Sequence, residues 1–286
     1  MRQCLLICLI FWPAAASAWS VLDSWADVVL TQIRARQPLP ILTSLDPALT
    51  LEDAFSIQRT VVRELTLQVP PVGFRADLTT PLGRAKLHSD RPITLAILKD
   101  QWLNNGATIL RPASSKLRVA PALAFTLRQP VQRQLLRVSD AWAYIRDVRP
   151  AVLLLDDTAV GPGKLQLPDL VAANGGLARV VVGAPFARAD SQSVDAIFLE
   201  MLRAGVVVDR AKATNVMGGQ YAALRWLLND LLVRGWTTQA GQLLVTGPLS
   251  EPVPAQVGSW LVDYRDQGKL EFTIGDSPRG APNPLR

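Results

Sequence analysis

Val21, Leu22, Trp25, Val28, Val29 and Ile33 recur at steps of three and four residues, which predicts a first helix with one apolar face. The two prolines of "RQPLPIL" break it. A second helix is predicted over "LTLEDAFSIQRTVVREL". Thr50 stands three residues before Asp53, a capping arrangement that also suits the helix dipole. Ala54, Ile57, Val61 and Leu65 form its apolar stripe, and "VPPVGF" ends it.

From about residue 72 the pattern changes. Short apolar, β-branched runs alternate with Gly, Pro, Asn and Asp: "VGFRADL", "ATILRP", "RVAPALAFTL", "RPAVLLLDD" and "ARVVVGAP". These read as strands. Pro121 lies inside the third, and its missing N–H predicts an edge position or a bulge. Two helices are expected among them: "SVDAIFLEMLRAG", capped by Ser193 and ended by Gly205, and "QYAALRWLLNDLLVRG", ended by Gly235. "GQLLVTGPL", "GSWLVDY" and "KLEFTIG" return to strand character. The order predicts an α+β fold on a curled mixed sheet with a helical N-terminal lead-in. No fixed-period repeat or long linker divides it, so one domain is expected over 19–275, with a lead-in over 19–70 and a flexible tail over 276–286.

The first residues have a different character. One Arg, the apolar run "CLLICLIFW" and the small residues of "PAAASA" read as a signal peptide over residues 1–18, cleaved after Ala18. The run is shorter than the ~20 residues of a membrane span. This predicts an exported, periplasmic protein with no stable span after cleavage. Both cysteines, Cys4 and Cys8, fall inside the segment, so the processed chain has neither a thiol nucleophile nor a thiolate metal site. Of 286 residues, 49% are hydrophobic and 19% charged, enough for a large core. The net charge of +6 is dispersed and no recognition motif accompanies it, which argues against nucleic acid as a partner.

The chemical inventory is thin. His88 is the only histidine and sits in a polar segment, as surface loop residues do; a His-rich zinc site is excluded by count. There is no Gly-x-Ser-x-Gly elbow, and "GPGKLQL" lacks the Ser or Thr of a P-loop. Asp156 and Asp157 close a strand, where both turn chemistry and function are found.

Five stretches carry a resemblance when taken together: "LTLEDAFSIQR" (49–59), "VGFRADLT" (72–79), "RPAVLLLDD" (149–157), "LRWLLNDLLVRG" (224–235) and "AGQLLVTGPLSEPVPAQVGS" (240–259). In order and spacing the chain resembles the 2-keto-4-pentenoate hydratase and 4-oxalocrotonate decarboxylase group of the fumarylacetoacetate hydrolase superfamily, over roughly residues 20–275. The resemblance implies that superfamily's rolled mixed sheet around an active site. It implies a Mg²⁺ or Mn²⁺ ion that binds a 2-oxo acid and stabilises its enolate. It also implies three metal-binding carboxylates, two from a Glu-x-Glu strand and one from the next strand. Those positions fall here on Ala120, Ala122 and Leu153. The family's lysine falls on Arg75, and the serine often found after "LTG" is Pro248. Asp156, Asn174, Arg179 and Thr246 remain, with Arg75, as candidate ligand-binding residues. A relocated metal site would have to draw on Asp77, Asp156 or Asp157, with no motif behind it.

Three readings stay open at this point. The first is a non-catalytic or repurposed relative that binds a small organic acid, 2-oxo or dicarboxylic, without a metal cofactor. Arg75 or Arg179 would then serve as a carboxylate fork rather than as a structural ion pair. The second is an active hydratase or lyase on 2-oxo acids with a shifted or metal-free site. The third is an envelope protein that acts through its surface, for which the charge and the eight tryptophans leave room. The resemblance also implies a homo-oligomer.

Overall fold

The structure, a computed structural model, describes residues 20–278 except 113–114, 158–160, 162 and 188–189, and omits the side chains of 191–192. The expected signal peptide lies outside the described residues.

The lead-in is helical, as its periodicity predicts. It contains α1 (Val21–Ala35), α2 (Leu42–Leu45) and α3 (Leu51–Leu65). Capping boxes start both long helices. Ser20 and Asp23 satisfy each other's backbone amides at α1, and Thr50 and Asp53 do so at α3. Then come β1 (Gly73–Asp77), α4 (Pro81–Lys86), β2 (Ile93–Ile97), β3 (Trp102–Asn104), β4 (Thr108–Arg111), β5 (Leu117–Leu127) and β6 (Ile145–Asp156). The chain continues through α5 (Leu167–Ala172), β7 (Leu177–Val182), α6 (Ser191–Asp195), β8 (Phe198–Arg203), β9 (Val206–Lys212) and α7 (Gln220–Val233). It ends with β10 (Leu243–Pro248), β11 (Val253–Pro254), β12 (Gly258–Asp263) and β13 (Lys269–Asp276). The last strand reaches into the expected tail, because Asp276 still pairs in register with Arg111 of β4.

Among the described residues the strands form two mixed sheets. The larger runs β2-β1-β10-β5-β6-β7-β3, with β11 beside β5; the smaller runs β4-β13-β12-β8-β9. Parallel pairs (β1 with β10, β3 with β7, β4 with β13) sit among antiparallel ones. Leu123, Phe125, Val152 and Leu154 of the large sheet share a core with Met201, Trp260 and Phe272 of the small sheet and with Leu224 and Leu228 of α7. Ile93 and Leu95 pack on the opposite side with Val29, Ile57, Val61 and Val171 of the helices. A third cluster joins Ala122, Ala124, Leu153, Val180 and Val245.

Two expectations from the sequence are corrected here. The helix expected over 193–205 stops at Asp195, and 198–203 is strand β8. Buried Leu199 and Met201 alternate with the more exposed Phe198, Glu200 and Leu202, a period of two rather than 3.6. Gly205 ends no helix. With Ala204 it takes positive φ (48° and 80°), the backbone of a tight hairpin turn into β9. Pro121 is not on an edge, since β5 lies between β10 and β6. The irregularity that accommodates it is on the neighbouring strand: the β10 register shifts between Val245 and Pro248, and the Leu249 N–H donates to the Pro121 carbonyl at 2.9 Å.

Candidate functional site

Side chains on β5 alternate between faces. Arg118, Ala120, Ala122 and Ala124 share one, opposite the face that carries Val119, Leu123 and Phe125 into the inter-sheet core. On β6, Leu153 is the in-register partner of Ala120, and Ala151 is the partner of Ala122. All four are fully buried. Tyr264, which follows β12, pushes its hydroxyl against this pair of strands, 2.8 Å from the carbonyls of both Ala122 and Ala151. Burial raises the Tyr264 phenol above its ordinary range, against the opposing effect of those backbone bonds.

A cleft of about 340 Å³ opens at the Arg118 end of this face. Leu78, Leu87, Leu155, Leu165 and Leu170 give it apolar walls, and Asp77, Asp156, Asp157, Glu251, Lys86 and Arg118 supply charge. Asp157 takes the Arg118 guanidinium at 2.9 Å, Glu251 pairs with Lys86 across 165 residues of chain, and Asp77 pairs with Arg75. The Thr79 hydroxyl also lines the cleft; it is buried and has no partner among the described residues.

The structure separates the candidate residues. Asp156 lines the cleft, and its backbone N–H bonds the Gly176 carbonyl at 2.9 Å. Arg75 lies behind the floor, fully buried, donating to Asp77 and to the Gly175 carbonyl. Asn174 is a structural clasp. Its amide accepts from the Ala96 N–H (2.8 Å) and Gln58 (3.1 Å) and donates to the Ala96 carbonyl (3.0 Å), joining α3, the end of α5 and β2. Arg179 and Asn174 line a separate cavity of about 150 Å³ on the far side of the 174–176 turn. Burial pushes Arg179 below the usual guanidinium range, with Asp100 opposing. Thr246 is interior and donates to Gln220 at 2.5 Å. His88 is an exposed turn residue.

Sequence reasoning missed Lys86, Arg118, Thr79 and Glu251. The strand period was enough to find Arg118, two residues before Ala120. Nothing local announces that Lys86 and Glu251 meet.

A search against models of known protein families finds no match. Among curated proteins, the chain is 28% identical over 236 residues to the 2-oxo-hept-4-ene-1,7-dioate hydratase of Escherichia coli, covering 79% of this chain and 88% of that one. It is 24% identical to the 2-hydroxyhexa-2,4-dienoate hydratase of Comamonas testosteroni, covering 79% and 86%. Among solved structures, the 4-oxalocrotonate decarboxylase of Pseudomonas putida G7 with magnesium and adipate superposes with a TM-score of 0.79 at 20% identity, covering 88% of this chain and 97% of that one. The chain is similar in sequence to these two hydratases and shares its fold with the decarboxylase. The likeness of fold extends further: fumarylpyruvate hydrolase from Pseudomonas aeruginosa, solved with Mn²⁺ and pyruvate, superposes with a TM-score of 0.54 at 9% identity, covering 71% of this chain and 89% of that one.

The residues of this chain do not fit the group's divalent ion. Mg²⁺ asks for near-octahedral oxygen ligation held by carboxylate charge. Ala120, Ala122 and Leu153 offer no donor atom, and the Asp77, Asp157 and Glu251 carboxylates are engaged by guanidinium or ammonium groups. Among the described residues no group of three or more His, Cys, Asp or Glu side chains is disposed to hold a metal. Among the same residues, no helix is long and apolar enough to cross a membrane.

Proposed function

We propose that this chain is an exported, metal-independent member of the hydratase group, repurposed to bind a small organic acid of the 2-oxo or dicarboxylic kind. The observation that carries the reading is the pairing of a leucine-walled cleft with apolar residues at all three family metal positions. A cavity of this size holds a small organic molecule. Its cations, Lys86 and Arg118, stand at the rim with resident carboxylates that an incoming acid exchanges for its own. The partly exposed Arg118–Asp157 pair costs little to open. Arg118 presents a planar fork that matches a carboxylate. Residues 1–18 would direct export and be removed.

An active metal-dependent hydratase is the less favoured reading, because its Lewis acid would need anionic ligands that this cleft has committed elsewhere.

Metal analysis of the purified processed protein, with a thermal-shift panel of 2-oxo acids and dicarboxylates including adipate, tests the proposal. The expected result is no stoichiometric Mg²⁺ or Mn²⁺ and a rise in Tm with at least one acid. Stoichiometric metal together with hydratase turnover on a 2-hydroxydienoate would overturn it. Intact mass beginning at Trp19 is the expected outcome for export.

A further inference from the structure

Arg75 is a fully buried cation whose partners both belong to the cleft wall, although Arg75 itself does not line the cleft. Its Nη1 donates to the Asp77 carboxylate and its Nη2 to the Gly175 carbonyl, and its Nε has no partner among the described residues. Asp77 therefore stands between a buried positive charge and the space a ligand would enter. A side chain at 175 is excluded, because a Cβ there would collide with the Arg75 guanidinium and with Leu95. Gly175 also has φ of 70°, which suits glycine. The other oxygen of Asp77 holds the backbone: Oδ1 accepts from the Leu78 N–H at 2.8 Å, where the chain turns out of β1 with positive φ.

A guanidinium in a dry interior is costly unless an anion accompanies it. In this chain that anion is covalently supplied from two residues along the same strand. We propose that Asp77 is a resident surrogate ligand. Its carboxylate occupies, on Arg75, the position an external carboxylate would otherwise take, so residue 77 decides whether the floor of the cleft admits an anion. The wild-type cleft then offers an incoming acid only the rim cations, and the floor becomes a second carboxylate position once Asp77 is removed. This rests on the reading of the cleft as the ligand site.

The test is chemical rescue with formate, a carboxylate small enough for the space left by Asp77→Ala. Tm is measured for wild type, Asp77→Ala and Arg75→Met/Asp77→Ala in formate against an equal concentration of a bulky sulfonate. Asp77→Ala is expected to melt below wild type and to regain about 3–5 °C at saturating formate. Wild type and the double variant are expected to show no formate-specific shift. Asp77→Ser, whose shorter side chain also leaves room for formate, is the second route if the alanine variant does not accumulate, with the same formate response expected. A single variant indifferent to formate, or a double variant that still responds, would overturn the proposal. Failure of wild type to bind any acid in the thermal-shift panel would instead count against the reading of the cleft, because the formate response does not depend on it.

Discussion

Ala120 and Leu153 face each other in register across β5 and β6, both fully buried, and Ala122 stands one step along the same face. The two positions that the resemblance assigns to acids from different strands are thus neighbours, separated by the ~5 Å spacing of adjacent strands. Acidic side chains there would share one small volume. The residues present fill part of that volume with methyl groups.

Placing a carboxylate back in this layer is therefore expected to be destructive on its own. Ala122→Glu buries a charge among Leu153, Val180 and Val245. It should lower unfolding free energy by at least about 3 kcal/mol at neutral pH, read by urea denaturation. Burial raises the pKa of such a group in the folded state, so the deficit should shrink as pH falls toward the ordinary glutamate value of about 4.3.

The rim cations are expected to behave in the opposite way. Lys86→Ala and Arg118→Ala break partly exposed ion pairs, so each should change stability by no more than about 1 kcal/mol. Each should weaken binding of whichever acid the thermal-shift panel identifies by about tenfold, the worth of one charge-assisted hydrogen bond, measured by calorimetry. Unchanged affinity in both variants would move the ligand away from this cleft.

Asn174 should separate structure from binding. Asn174→Ala removes three hydrogen bonds at a buried junction and leaves a non-glycine residue at φ of 53°. A loss of about 2–4 kcal/mol is expected, with ligand affinity per folded molecule unchanged. Denaturation and calorimetry on the same sample give both readouts.

Tyr221 and Tyr264 predict an alkaline transition. Burial raises both phenols, and Asp195 and Asp190 raise Tyr221 further. Unfolded tyrosine titrates near 10. The unfolded chain therefore releases these protons first, and the stability they contribute is complete below about pH 10 and is lost as pH climbs toward the folded values. A tyrosinate absorbance titration should show both rings ionising together with loss of tertiary structure, and no earlier.

Much of the fold was legible from short-range pattern. Thr50 with Asp53 marks a helix start because the capping box is a local device, and the runs of β5, β6, β7, β10, β12 and β13 announce themselves as apolar, β-branched stretches between turn formers. Ala204 and Gly205 show where local reading fails: a glycine after an apolar run serves a helix end and a hairpin equally well. Strand β2 was missed because "ITLAI" carries no polar alternation, being buried along its whole length. The site was legible as a face, since Ala120 and Ala122 are two apart. It was not legible as a cleft. The Lys86–Glu251 pair is made by topology, and so is the junction at which Asn174 meets Gln58 and Ala96.

The Tyr264 hydroxyl bears on how β5 and β6 stay aligned. Where one face of a sheet is wet and the other dry, sliding a strand past its neighbour strands apolar groups in water, and slippage is forbidden. Most of the shared length of these two strands is buried on both faces, so the contrast is absent at their centre. The phenol touches the backbone at one pair only, Ala122 and Ala151, while its ring is held in the core shared with the other sheet. It works as a peg between two strands that have little else at their middle to tell one alignment from the next. With alanine and leucine at that centre, Tyr264 supplies the landmark that the strands themselves lack.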